Sequence, residues 1–317
     1  MKNLNRAEAA GFLLVNDNFC ILTHRRPDGD TIGSAAALCR GLRQLGKSAW
    51  VLEDPDAGGS RCGWLLQGLT RETAGENDTL VAVDVASPGM LPRAFQPLTD
   101  RVKLRIDHHG SGTSFAEEEL VDPTSASCAE LVCDVLTILG VQLDKAMGEA
   151  VYVGISTDTG CFRFSNTTGH TFLVASVCAQ TGADIYRLNQ ELFETNTMSK
   201  LRMQAWIAEN LKIFGDGKLA IVAIPRAVED VLGVTEDDMD NISSFPRTVA
   251  GVCMAVTLRQ TKDGEVKISA RSVPGYDSAA LCAIFGGGGH KGAAGASVHL
   301  ELAQAAAAVE EEMLKLW

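Results

Sequence analysis

With 317 residues, 46% of them hydrophobic and 21% charged, the chain suits one large domain or two ordinary ones built around sizeable cores. That composition excludes wholesale disorder, a fibrous architecture and a small disulfide-stapled scaffold. Forty acidic residues against 28 basic ones give a net charge of −12, which argues against coating long duplex DNA or an anionic membrane but not against a short anionic substrate in a local cationic site.

The first segment, MKNLNRAEAAGFLLVNDN, lacks a signal-peptide apolar region, and no later run approaches the ~18–20 apolar residues that span a bilayer. The nine cysteines (20, 39, 62, 128, 133, 161, 178, 253 and 282) include no C-x-x-C pair and sit mostly in apolar stretches, so they are expected to be reduced core residues of a cytoplasmic protein. The runs FCILTH (19–24), SAWVLED (48–54), TLVAVDVA (79–86) and VKLRIDHH (102–109) predict buried strands, with a helix over 34–45 between the first two. That alternation predicts a doubly wound, mostly parallel α/β sheet. Helical patterns follow over 125–140 and 145–155, and after the Asn166-Thr167-Thr168 turn a long helical stretch, interrupted near Gly182, runs towards Leu211.

A second unit then shows strands at 218–225, 249–260, 265–273 and 296–301, a helix over 277–285, a glycine run and a terminal amphipathic helix. The expected organisation is a first domain over 1–190, a helical linker over 191–212, and a second, smaller α/β domain over 213–317. Met198 and Met203 beside Trp206 are expected to pack in the linker helix. Asp237, Asp238 and Asp240 are expected to form a solvated loop, and His170 and His299 to be ordinary surface or hydrogen-bonded histidines.

Chemistry gathers where the first apolar runs end. FCILTH ends in His24 and leads to Asp28 and Asp30, TLVAVD ends in Asp84, LRIDHH ends in Asp107, His108 and His109, and VGISTD ends in Asp158. In a parallel sheet all carboxyl ends of strands lie on one edge, so these residues converge in the crevice where such folds bind ligands. A lone aspartate there is ordinarily a helix cap or turn residue. Acids and imidazoles at four successive ends have no such independent cause, and carboxylates packed together raise one another's pKa unless a cation neutralises them. Two divalent cations sharing one carboxylate would use this number of groups. Mixed oxygen and imidazole ligands suit Mn²⁺, with Mg²⁺, Zn²⁺ or Fe²⁺ as alternatives.

HRRPDGDTIGS (24–34), VAVD (81–84), DHH (107–109) and STDTG (156–160) resemble the four motifs of the DHH phosphoesterase superfamily. SARS (269–272) and GGGGHKGAAG (286–295) resemble that superfamily's DHHA1 domain. Together they cover nearly the whole chain, which looks like the short two-domain members acting as oligoribonuclease and 3′-phosphoadenosine-5′-phosphate phosphatase. The resemblance implies one metal on His24, Asp28 and Asp84, and a second on Asp30, Asp84, His108 and Asp158, with Asp84 as the bridge. It further implies that Asp107 orients a neighbouring imidazole and that His109 faces the phosphate.

Four glycines in a row permit positive φ and expose N–H groups that cradle an anion, although a tight helix-to-strand turn would use them as well. Arg271 alone would read as a surface ion pair or a bidentate phosphate clamp, and it is the resemblance that implies a substrate-binding set of Arg271 with Ser272, Gly286, Gly287, Gly288, Gly289 and His290. Arg163, in the loop just beyond Asp158, could approach a phosphate, but a loop arginine is more often solvated.

The implied reaction is metal-dependent hydrolysis of short RNA or DNA oligonucleotides, or small nucleotides, to 5′-monophosphates. A manganese pyrophosphatase shares the first motifs but carries a different second domain, and a long-strand exonuclease needs more binding modules than 317 residues hold. These motifs do not separate a cyclic-dinucleotide phosphodiesterase, or a phosphodiesterase of linear diadenylate, from this reading, whereas a non-catalytic nucleotide sensor would have lost ligands. Metal identity, RNA or DNA preference and oligomeric state, a homodimer included, are not legible from these motifs.

Overall fold

The computed structural model describes residues 2–55, 60–239 and 241–316. The chain divides into two compact units, Met1–Glu194 and Thr195–Trp317. The first runs β1 (Lys2–Asn3), α1 (Arg6–Val15), β2 (Phe19–Leu22), α2 (Gly29–Gln44), β3 (Ala49–Leu52), β4 (Thr70–Arg71), β5 (Thr79–Val83), β6 (Val102–Asp107), β7 (Glu118–Val121), α3 (Cys128–Ile138), α4 (Lys145–Asp158), α5 (Gly169–Gln180) and α6 (Ile185–Asn189). The second runs α7 (Met198–Asn210), β8 (Lys212–Phe214), β9 (Leu219–Ile224), α8 (Arg226–Leu232), β10 (Met254–Gln260), β11 (Val266–Ser272), α9 (Ser278–Ile284), β12 (Gly288–His290), β13 (Ala293–Val298) and α10 (Leu302–Lys315).

In the first unit seven strands lie in the order β1-β7-β6-β5-β2-β3-β4, every pair parallel. From β2 the chain moves outward to β3 and β4, then returns to β5 on the other side of β2 and continues outward to β6 and β7. The order therefore reverses between β2 and β5, and a crevice opens at their carboxyl ends. Alternation along each strand fills two cores: Phe19, Ile21, Val81 and Val83 pack under the helices with Leu38 and Leu42, while Cys20, Leu22, Leu80 and Ala82 meet Leu91 and Phe95 on the opposite face. A side chain at Gly33 would run into the Ala150 carbonyl, so glycine there lets α2 lie directly on α4. That approach brings the first turn of α2 beside the last turn of α4.

In the second unit six strands lie in the order β12-β13-β11-β10-β9-β8, antiparallel except for the parallel β9–β10 pair. Helices α9 and α10 cover one core through Leu281, Cys282, Ala305, Val309 and Met313. Helix α7 belongs to this unit, where Met203 and Ile207 pack with Val222 and Ile224. Met198 departs from its expected packing role and is exposed. Asp238 likewise is not solvated: it is buried and accepts hydrogen bonds from Thr197 Oγ1, Ser199 Oγ (3.0 Å) and the Thr235 amide (3.0 Å). Asp240 lies outside the described residues. His170 pairs with Asp134 at 2.9 Å on the surface. All nine cysteines are free thiols. Among the described residues no helix is long and apolar enough to cross a membrane.

Candidate metal centre

Strand β2 ends just before His24, whose Nδ1 donates to the Arg25 carbonyl at 2.9 Å. That bond leaves Nε2 without a proton and turns it towards Asp28 Oδ1 (3.9 Å) and Asp84 Oδ2 (3.7 Å). Asp28 caps α2, accepting from the amides of Asp30 and Thr31 at 3.1 Å each. One turn inside, the buried Asp30 accepts from the amides at the start of α3, Cys128 at 2.7 Å and Ala129 at 2.9 Å. Asp84 follows β5 with φ +57 and donates its own amide to Ile106. Its Oδ2 takes a 2.6 Å hydrogen bond from Thr31 Oγ1, while its buried Oδ1 has no hydrogen-bond partner.

His108 joins the acids. Its Nε2 lies 3.8 Å from Asp30 Oδ2, 3.6 Å from Asp84 Oδ1 and 3.5 Å from Asp158 Oδ2. Donor atoms gather in three overlapping sets, His24–Asp28–Asp84, Asp30–His108–Asp158 and Asp84–His108–His109, each with ligand atoms within 4.8 Å of one another. All six residues read from the sequence as metal ligands are thus brought together. One detail differs: Asp158 ends a helix, α4, not a strand. It reaches the crevice because α4 packs directly on α2.

Electrostatics separate these acids by role. Burial, then the neighbouring Asp30 and Asp28 carboxylates, push Asp84 well above the usual carboxylate range, and the same causes push Asp158 well above it. Burial also raises Asp30, against the pull of His108 and two backbone amides. At an effective dielectric constant of ~20, two carboxylates ~4 Å apart repel by about 4 kcal/mol. No Lys or Arg pairs with Asp30, Asp84 or Asp158 among the described residues. A buried carboxylate oxygen without a donor, in a cluster of acids and imidazoles without a paired lysine or arginine, fits a divalent cation.

Asp107 behaves in the opposite way. Burial opposes its ionisation, but the His109 hydrogen bond and the nearby His109 and Arg105 charges outweigh it and hold Asp107 below the usual range. Its Oδ1 accepts from His109 Nδ1 (2.7 Å), the His108 amide (2.9 Å) and the His109 amide (3.3 Å). Asp107 is therefore already neutralised, and it orients the His109 ring. Arg105 was not legible as a site residue because two positions before a motif in a buried strand reads as core. Yet its Nη2 lies 3.4 Å from Asp107 Oδ2, and its Nη1 donates to the carbonyls of Ala86 (3.3 Å) and Thr113 (3.2 Å). Arg105 thereby ties Asp107 to the loops after β5 and β6.

In the second unit, Arg271 is half-buried on β11, its Nη1 donating to the Ala270 carbonyl at 2.9 Å, and it has no carboxylate partner among the described residues. Burial lowers its pKa. Ser272 differs from the expected substrate contact: its buried hydroxyl donates to the Lys291 carbonyl (2.8 Å) and accepts from Ser278 Oγ (2.9 Å), holding the glycine loop against β11. The amides of Gly286 and Gly287 also differ from an anion cradle, because they end α9 on the carbonyls of Ala283 and Cys282. Gly286 takes φ +74 for that turn, and a side chain at Gly287 would strike the Gly295 carbonyl. Gly288, Gly289 and His290 form the exposed strand β12.

A parallel sheet that delivers acids and imidazoles to its topological switch is the frame of a hydrolase that works with divalent metal. The model of the DHH family N-terminal domain matches residues 18–155, and that of the DHHA1 domain matches residues 220–315. The bifunctional oligoribonuclease and PAP phosphatase NrnA of Thermus thermophilus is 34% identical over 93% of this chain and 90% of its own. The chain belongs to the DHH family, in its branch with a DHHA1 domain. Among solved structures, an exopolyphosphatase-related protein from Bacteroides fragilis superposes with a TM-score of 0.86 at 23% identity, covering 98% of this chain and 95% of that one. The exonuclease RecJ bound to manganese gives a TM-score of 0.55 at 14% identity, over 100% of this chain and 96% of that one.

Proposed function

We propose that this enzyme hydrolyses short oligonucleotides, dinucleotides included, to nucleoside 5′-monophosphates, and 3′-phosphoadenosine 5′-phosphate to AMP, with two divalent cations, Mn²⁺ in the first instance. The observation that carries the chemistry is the orphaned, buried Asp84 Oδ1, 3.6 Å from both His108 Nε2 and His109 Nδ1. The substrate class rests on the 34% identical NrnA relative, whose likeness spans both units. We assign one cation to His24, Asp28 and Asp84, and the other to Asp30, Asp84, His108 and Asp158. When bound, these ions neutralise phosphoryl oxygens and make water acidic enough to attack at neutral pH.

The chain's own groups do the rest. Asp107 keeps the proton of His109 on Nδ1, which leaves Nε2 as the nitrogen that meets the phosphate and serves the leaving oxygen. Thr31 holds one Asp84 oxygen in place, and the α3 amides hold Asp30, so the ligands need little rearrangement. To the second unit we assign recognition of the remaining nucleotide or phosphate, through Arg271 and the exposed Gly288, Gly289 and His290, with Ser272 fixing the loop. Nine free thiols suit a reducing compartment, and we place the enzyme in the cytoplasm.

A side-by-side turnover assay tests this reading, using linear diadenylate, cyclic diadenylate, 3′-phosphoadenosine 5′-phosphate, pyrophosphate and RNA and DNA of graded length, with Mn²⁺ and then Mg²⁺. Cation-dependent turnover fastest on RNA of two to a few nucleotides and on 3′-phosphoadenosine 5′-phosphate is expected. Preference for pyrophosphate or the cyclic dinucleotide would overturn it.

A further inference from the structure

The segment that leaves the metal centre has a conformation that side chains avoid. Directly after Asp158 and Thr159, three successive residues, Gly160, Cys161 and Phe162, take φ values of +57, +60 and +61. Glycine adopts this region freely, but cysteine and phenylalanine do so only under constraint from their surroundings. The constraints are visible. The Cys161 amide donates to the Ser156 carbonyl at 2.6 Å, the Phe162 amide to Thr159 Oγ1 at 3.1 Å, and the amides of Arg163 and Phe164 both to the Thr159 carbonyl at 3.0 Å. Asn166 closes the loop, its Nδ2 donating to the carbonyls of Ala126 (2.9 Å) and Asp158 (3.2 Å). The Phe162 ring anchors it between Tyr152 and Phe172, with ring centroids 5.9 and 5.4 Å away.

All of this holds in place two side chains that the core does not use. Arg163 is exposed, its Nε donates to the Gly160 carbonyl at 2.5 Å, and its guanidinium has no carboxylate partner among the described residues. In a chain of net charge −12, an arginine next to the acidic centre would readily find a carboxylate if pairing were its purpose. Phe164 is 39% exposed, and its ring lies over Gly160, where any side chain would run into it. Strain stored beside a reactive centre, spent on presenting a planar cation and an aromatic face, is the pattern of a preorganised ligand contact.

We propose that residues 160–164 form a nucleotide subsite of the first unit, in which Arg163 takes a substrate phosphate through its Nη atoms and Phe164 stacks on a base. This rests on the phosphoesterase reading above and adds to it a recognition element outside the metal ligands. A phosphate suits the guanidinium fork, and stacking suits substrates of any base. The subsite therefore favours nucleotides over simple phosphodiesters without selecting sequence.

Both residues are exposed, so their variants should fold. The experiment compares kcat/KM of Phe164→Ala, Phe164→Trp, Arg163→Gln and Arg163→Lys in the full chain with Mn²⁺, on linear diadenylate, 3′-phosphoadenosine 5′-phosphate and methyl p-nitrophenyl phosphate, which has neither base nor second phosphate. Phe164→Ala is expected to lower kcat/KM on diadenylate at least tenfold more than on the simple diester, chiefly through KM, with tryptophan restoring most of it. Arg163→Gln should act in the same way on 3′-phosphoadenosine 5′-phosphate, with lysine restoring only part. Equal losses on all three substrates, or none, overturn the subsite while leaving the phosphoesterase reading intact. Wild-type protein that hydrolyses only the simple diester overturns both.

Discussion

Glu229 in the second unit and the acids Asp30, Asp84 and Asp158 in the first differ in how they are neutralised. In the second unit, the buried Glu229 meets Arg226 at 2.7 Å and, through both of its oxygens, the guanidinium of Arg259, which also reaches Glu236 at 2.8 Å. That network is complete within the protein, and Arg259's pKa is raised by its hydrogen bonds to Glu229. In the first unit, Asp30 accepts hydrogen bonds from amides and Asp84 one from Thr31, but among the described residues the ion-pair neighbours of these two and of Asp158 are imidazoles 3.5–3.8 Å away, not arginine or lysine. A buried acid paired with arginine, as Glu229 and Asp107 are, is neutralised by the protein itself, whereas acids crowded on one another without such a partner fit a cation.

The largest expected effect is on turnover. Asp84→Ala should lower it at least a thousandfold, as expected when the shared ligand of a two-metal site is lost. It should leave the melting temperature of the metal-free protein unchanged or higher, because it removes like-charge repulsion. A metal-free variant markedly less stable than wild type would erase the contrast between the two regions. Next in size, Arg259→Met should cost about 1–3 kcal/mol in denaturant unfolding by leaving the buried Glu229 with Arg226 as its one remaining guanidinium partner, without altering metal binding. Adding Glu229→Gln to that variant should return part of the loss.

Saturating cation should then stabilise the wild type by about 2.7 kcal/mol for each of the two sites at a hundredfold excess over its Kd, and the Asp84→Ala protein by much less. Thermal melts with and without Mn²⁺ measure this directly. The smallest effect is pH dependence. Burial keeps protons on Asp84, Asp30 and Asp158 at pH values where the unfolded chain has released them, so metal-free stability should fall as pH rises from about 4 towards their raised values. Asp107, held below the usual range, contributes stability above pH ~4 that is lost below it. With Mn²⁺ the upper trend should reverse, because ligands must lose their protons to bind. Melting temperatures from pH 5 to 8 in chelator, against the same series in Mn²⁺, check the sign.

Much of the first sheet could be read from the sequence, because β2, β3 and β5 are apolar on both faces, β6 alternates apolar with charged residues, and these strands lead into polar residues that the core cannot accept. The six candidate ligands followed, since a parallel sheet collects its strand ends on one edge. The short β1, β4 and β7 were missed because two to four residues carry too little pattern, and the partner of β1, β7, lies more than a hundred residues on. Asp158 was grouped with strand ends because VGISTD is apolar enough for a strand, although the helical pattern over 145–155 already reached into it, and α4 carries on to Asp158. Asp238 looked solvated among other acids, and its three donors come from residues up to 41 positions away. The glycine run carried two demands at once, a helix end at Gly286 and Gly287 and an exposed strand beyond them, and composition alone could not divide them.

The most direct test of the central claim, that the acids of the first unit exist to hold two cations, is a titration of metal-stripped protein with Mn²⁺, counting bound ions by the loss of the free-ion resonance signal. Two ions per chain should bind to the wild type and to His109→Ala, whose ring is assigned to the substrate, and fewer to Asp84→Ala. One ion or none in the wild type, or unchanged binding in Asp84→Ala, would contradict it.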